Sequence, residues 1–347
     1  MAGALRAIKY TLWNADQHRP RALWRLTGQA ILFASLALIV EILVGLVGIS
    51  AVVIRRGLSP EELSDPRLVQ QFITSNPGVL MLSYLGIAVS LALSIWLAAR
   101  FLDRRPVADY GFQLGRDWWI DFGFGLLLGA ALMAAIFLIE LLAGWVSVTG
   151  TFVTQRPETG FFPAIAVPLV TFVAVGFYEE LFSRGYQLRN LAEGLTWRFI
   201  SPRAAIVLAV VLSSAVFGAF HAVNPNATVR STVFIALAGF MLAAGYLMTG
   251  ELAIPIALHI AWNLFQGNVF GFPVSGTDFT SGTFIAIEQQ GPQLWTGGPF
   301  GPEAGLLGLA AMALGIALTA LWVRWRYGSV RLDLSIAEPP TLNEEVV

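Results

Sequence analysis

The sequence predicts an all-α, polytopic integral membrane protein with about eight transmembrane helices, and three observations predict it. Of the 347 residues, 56% are hydrophobic and only 12% charged, about half the roughly 25% charge that covers a soluble domain. Mean hydropathy is +0.69. The apolar residues fall in long blocks and do not alternate, which argues against an outer-membrane barrel. A net charge of −1 gives no footprint for nucleic acid, and a chain this apolar is not disordered. There is no cysteine, so disulfides and thiolate metal sites are excluded.

A hydrocarbon core about 30 Å thick takes about 20 apolar residues to cross. Blocks of that kind lie near 29–53, 79–101, 119–146, 162–183, 204–222, 231–249, 252–270 and 303–323. The first is too long for the apolar part of a signal peptide and is followed by no small-residue cleavage pattern, so it reads as a retained helix. Ahead of it, Arg6, Lys9, Arg19, Arg21 and Arg25 interleave with Leu5, Tyr10, Leu12, Trp13 and Trp24, a mixture suited to an anionic membrane surface.

Basic residues set the orientation. With the N-terminus inside, the inner segments hold 16 Arg or Lys, and the outer ones hold five: Arg55, Arg56, Arg67, Arg156 and Arg230. Both termini are therefore expected in the cytoplasm. The chain divides into an N-terminal segment 1–28, transmembrane helices 29–160, a core 161–270, an extracytoplasmic loop 271–302, and a last helix with its tail, 303–347. The stretch 271–301 has no Lys or Arg and reads as a surface loop, with a lid or re-entrant segment as the alternative. Twenty arginines against one lysine give the chain a prokaryotic look, and with it a plasma-membrane location.

Ionisable residues inside spans each cost several kcal/mol unless paired or hydrated. Glu41, Asp121 and Glu140 are isolated in sequence and read as structurally paired or as lying near the interface. Gly125 and Gly129 form a G-x-x-x-G pair, a sign of close helix packing. The second half of the chain is richer. The fourth span ends with Glu179 and Glu180 followed by Arg184. Glu180 and Arg184 are four apart and share a helical face, so they can form an ion pair. Glu179 is turned about 100° away and is left for chemistry or for a second partner. His221 ends the fifth span, and His259 and Asn263 share one face of the seventh.

If the three helices pack together, Glu179 supplies a general base, His221 a second acid–base group, and His259 with Asn263 two oxyanion donors. Two histidines and a carboxylate, here Glu179, His221 and His259, are equally the ligand set of a hydrolytic zinc site. Both routes hydrolyse an amide. Helix bookkeeping sets one difficulty. Glu179 falls near the inner end of its span and His221 near the outer end of the next. The gap closes if the fourth helix sits deeper, or if the fifth begins near 198.

The pattern Glu179-Glu180-x-x-x-Arg184, Phe217-x-x-x-His221, His259-x-x-x-Asn263 resembles the CAAX protease and bacteriocin-processing family. This is the Abi group of intramembrane proteases, which includes the Ras-converting CAAX endopeptidase. Arg184-Gly185-Tyr186, Asn224 and Thr249-Gly250 agree with it, and the resemblance covers about 162–268. It implies a protease core in which Glu179 and His221 activate water, His259 and Asn263 stabilise the oxyanion, and Glu180 and Arg184 support the site. It leaves a metal-dependent and a metal-free glutamate mechanism open. The second is preferred, with no cofactor required, because Asn263 is a poor zinc ligand and a good oxyanion donor. The expected partners are the bilayer and a membrane-associated peptide or protein substrate. Rival readings are a proton-coupled transporter and a non-catalytic immunity or scaffold protein.

Overall fold

The computed structural model describes residues 11–56, 65, 67, 76–154, 160–279 and 281–340. Leu5, Arg6, Lys9, Tyr10 and Arg156 lie outside them, as do the side chains of Arg55 and Arg56. Eight long helices carry the described residues: α1 Ala22–Arg56, α2 Pro77–Asp103, α3 Arg116–Leu142, α4 Phe161–Leu195, α5 Pro202–Phe220, α6 Val229–Thr249, α7 Ala253–Leu264 and α8 Leu306–Tyr327. Starts are marked in the sequence. Asn76 caps α2 and Ser201 caps α5, each followed by proline at the first helical position. Thr228 and Ser231 close a reciprocal capping box on α6.

Seven of the eight are long and apolar enough to cross a membrane. The exception is the predicted span 252–270. It exists as the 12-residue α7 and a π-helical turn, Phe265–Val269, and α7 is buried from Ala253 to Asn263. Such a helix touches protein on all sides and no lipid. By contrast Ile31, Leu38, Ile42 and Leu46 of α1 are exposed, as lipid-facing side chains are.

Close packing of α3 on α7 follows from the glycine pair. A Cβ on Gly125 would lie 2.7 Å from the Ile254 carbonyl, and one on Gly129 2.7 Å from that of Leu258. Only glycine admits this approach, and it fixes the height and rotation of the helix that carries His259 and Asn263.

The fourth span does not end at 183. α4 runs on as a π-helical stretch, Leu181–Leu188, and a last turn to Leu195. It continues because its charges are satisfied inside the protein. Arg184 pairs with Glu180, and Arg189 donates to the carbonyls of Asp109 and Ser335. Arg184, counted in the sequence among inner-segment charges, is thus an intramembrane residue. The difficulty over Glu179 and His221 disappears with it. Glu179 lies about 24 Å along the helix from Leu195, and His221 about 28 Å from Pro202, at 1.5 Å per residue. Ala192 of α4 and Ile206 of α5 share one buried cluster, so the two distances start from the same end. The fourth helix is the deeper one, and α5 begins at Pro202, not near 198.

The isolated carboxylates are paired as expected. Glu41 accepts from Ser83, Glu140 from Gln289, and Asp121 from Trp322 and Tyr327. Two of the N-terminal arginines, Arg19 and Arg25, depart from expectation. A short hairpin, β1 Trp13–Asn14 with β2 Arg19–Pro20, leads into α1. Arg19 and Arg25 are buried, not spread on a lipid surface: Arg19 binds Glu193 at 2.8 Å, and Arg25 binds Asp103 at 2.8 Å and Glu193 at 3.1 Å. Burial disfavours the Arg19 charge and lowers its pKa, against the pull of Glu193.

One element was not anticipated at all. β3 Val146–Thr154 and β4 Gly282–Gln289 form an antiparallel ribbon, with Val146 opposite Gln289 and an irregularity between Val148 and Gly150. β4 belongs to the stretch 271–301. That stretch is no plain surface loop, because Phe272, Val274 and Phe300 are buried within the protein.

Candidate active site

Glu180, on the buried face of α4, is completely enclosed. Its Oε1 accepts from Arg184 at 2.9 Å and from His259 Nδ1 at 2.7 Å. Arg184 also donates to the Gly239 carbonyl of α6 at 3.0 Å and stacks over the Phe217 ring of α5, 4.5 Å from its centroid. One carboxylate and one guanidinium thereby tie α4 to α5, α6 and α7. A buried ion pair is tolerated when its remaining donors are satisfied in this way.

Glu179 points elsewhere, as its 100° rotation requires. Its Oε2 is buried without a hydrogen-bond partner and lies 3.9 Å from His259 Nε2. His259 therefore stands between the two glutamates, one at each ring nitrogen. His221 follows α5 in a 3₁₀ turn. Its Nδ1 donates to the Phe217 carbonyl at 2.8 Å, which in the neutral ring leaves the Nε2 lone pair free as a base. Asn263 is buried one turn beyond His259 and makes no hydrogen bond among the described residues.

Glu179, His221, His259 and Asn263 all line one cavity of about 240 Å³. The same cavity is walled by Asn224 and by Val274, Ser275 and Thr277 from the segment after α7. These last residues were not among the sequence candidates, since nothing in a Gly- and Pro-rich stretch marks the point where it re-enters a bundle. A second, apolar cavity of about 330 Å³ between α1, α2, α4 and α5 also reaches Glu179 and His221. Among the described residues, no group of three or more His, Asp or Glu is arranged to hold a metal ion.

Fold and cavity together define a class: a multi-pass helical membrane protein with a carboxylate–imidazole site held inside its helices. Residues 161–265 match the family model described as Type II CAAX prenyl endopeptidase Rce1-like. The matched segment holds Glu179, Glu180, Arg184, His221, His259 and Asn263. No curated protein and no solved structure matches the chain.

Proposed function

We propose that the protein is an intramembrane endopeptidase that hydrolyses peptide bonds of membrane-associated proteins or peptides. Glu179 and His221 activate the water, and His259 and Asn263 stabilise the oxyanion. The observation that carries this reading is that these four side chains, from three helices, line one small cavity, while the neighbouring Glu180 and Arg184 neutralise each other.

The steps follow from the available atoms. A water in the cavity gives a proton to the open carboxylate of Glu179, with His221 Nε2 as the second acceptor, as its oxygen attacks the carbonyl carbon. The carbonyl oxygen becomes an oxyanion. Asn263 donates to it from Nδ2. His259, whose Nδ1 proton is held by Glu180, donates from Nε2 in its doubly protonated form, whose charge balances that of the oxyanion. Collapse breaks the C–N bond, and the proton stored on the glutamate passes to the leaving amine. Glu179, His221 and His259 would be the ligands of a metal. Since no such group of ligands is assembled among the described residues, no step is routed through one. Proteolysis by the purified protein is expected to survive chelators, and one tightly bound zinc per chain would overturn this mechanism.

The distribution of basic residues supports an orientation with both termini in the cytoplasm, and the arginine-rich, lysine-poor composition supports a prokaryotic plasma membrane as the location. The test of the activity is mass-spectrometric profiling of peptide termini in membranes expressing wild type or Glu179→Gln at matched levels. New termini are expected with wild type alone. Coincident profiles from two folded proteins would end the protease reading.

A further inference from the structure

After α7 the chain turns back toward the cavity and forms a tight turn. Val274 and Thr277 exchange both backbone hydrogen bonds at 2.9 Å. Ser275 and Gly276 take positive φ values of 48° and 82°, the geometry of a two-residue hairpin turn. A serine does not choose that conformation unaided, since the left-handed region costs a side chain about 1–2 kcal/mol. At Gly276 a Cβ would stand 1.8 Å from the Pro225 carbonyl oxygen, so the turn is seated directly on the α5–α6 connection.

The surroundings impose this shape. Glu303, in the short turn that leads into α8, is 3% exposed. Its Oε1 accepts from the Ser275 hydroxyl at 3.1 Å and the Ser275 N–H at 3.2 Å. Its Oε2 accepts from Gln266 Nε2 at 2.6 Å, and the same amide reaches the Pro273 carbonyl at 2.6 Å. From the opposite side Asn224, three residues after His221, donates to the Ser275 carbonyl at 3.0 Å. Three donors converge on Glu303, and only a carboxylate accepts at every point.

We propose that Glu303 is a positioning residue of the catalytic cavity: it holds the Val274–Thr277 turn as the wall against which the substrate chain is set. The turn is thereby a determinant of which bond is cut. Its role in proteolysis rests on the protease reading above, whereas its role in holding the turn does not. Glu303→Gln keeps the size of the side chain but aims an amide N–H₂ at donors, so the turn should loosen.

The absence of cysteine gives a direct test. In the full chain, Val274→Cys is the only thiol and is walled off by the closed turn. Its rate of labelling by a membrane-impermeant maleimide, in detergent, should rise roughly tenfold or more when Glu303→Gln is added, as expected for losing a charge-assisted hydrogen bond. Ser275→Ala, which removes one donor and leaves the carboxylate, should give a smaller rise and serves if the Gln variant folds poorly. An unchanged labelling rate in both overturns the proposal. In membranes, Glu303→Gln should redistribute cut positions among the new peptide termini, and a distribution identical to wild type also overturns it. Loss of the protease reading looks different: Glu179→Gln then leaves the termini unchanged while the labelling still responds.

Discussion

Arg184 shows how two adjacent carboxylates are carried within an apolar helix. Its guanidinium neutralises Glu180, which in turn fixes the Nδ1 side of His259. Arg184→Ala would leave the wholly buried Glu180 with His259 as its remaining partner, and breaking a buried pair costs about 3–5 kcal/mol. The expected outcome is a steep loss of abundance and of thermal midpoint in detergent. Asn263→Ala should behave otherwise. Among the described residues Asn263 has no hydrogen bond to lose, whereas removal of an oxyanion donor costs about 10²–10³ in rate. Yields of the cleaved peptides should fall by that order at normal abundance, and undiminished yields would remove Asn263 from the mechanism. All six residues of the candidate site, 179, 180, 184, 221, 259 and 263, were legible in the sequence, because a polar group inside an apolar span has few bland explanations. Gln266 and Glu303 were not. Their meaning depends on Ser275, which reaches them only through the fold of the intervening loop.

At the scale of elements, α7 owes its position to the face of α3 that has no side chains at Gly125 and Gly129. Gly129→Val would force the backbones apart, at a cost of about 1–3 kcal/mol or more for overpacking, and would displace His259 and Asn263 with the helix. Gly123 lies on the same helix, and a Cβ there would meet nothing within 4 Å. Gly123→Val should therefore be nearly silent, and comparing the abundance and peptide yields of the two variants checks the packing argument. Equal effects would refute it. The existence of the helices was readable from hydropathy, but the end of α4 was not. Hydropathy stops a helix at its first charges, and it cannot know that Arg184 and Arg189 find partners inside. The β3–β4 ribbon was missed for a related reason. Val146, Val148 and Val153 are β-branched, but two strands separated by more than a hundred residues have no local signal that they pair.

For the molecule as a whole, acid–base linkage gives a further expectation. Outside the spans, burial pushes the carboxyls of Glu303 and Glu251 up to about 7, from an ordinary 4.5. Glu303 faces the neutral Gln266 and Ser275, and Glu251 accepts from the Gln113 N–H, so no cation offsets the burial directly. A raised carboxyl pKa means that the folded state holds a proton the unfolded chain has released. The contribution to stability is complete below about 4.5 and is lost as pH rises through about 7. The thermal midpoint of wild type relative to Glu303→Gln should fall across that window and level off above it. A difference that does not change with pH would contradict the assignment.

Composition, block length and the spacing of a few polar residues determined, without any structure, that this is a helical membrane protein, and they marked Glu179, His221, His259 and Asn263 among the polar side chains that line its cavity. They could do so because the bilayer forbids unpaired charge and leaves a conspicuous signal wherever charge occurs. Tertiary structure alone decided how deep α4 reaches, that Arg19 and Arg25 are buried in ion pairs, and that a turn from the loop after α7 walls the cavity. Each of these depends on a partner distant in the chain: Glu193 for Arg19, Ser335 for Arg189, Glu303 for Ser275. Sequence periodicity reports which face of an element is apolar, and it carries no record of what that face meets.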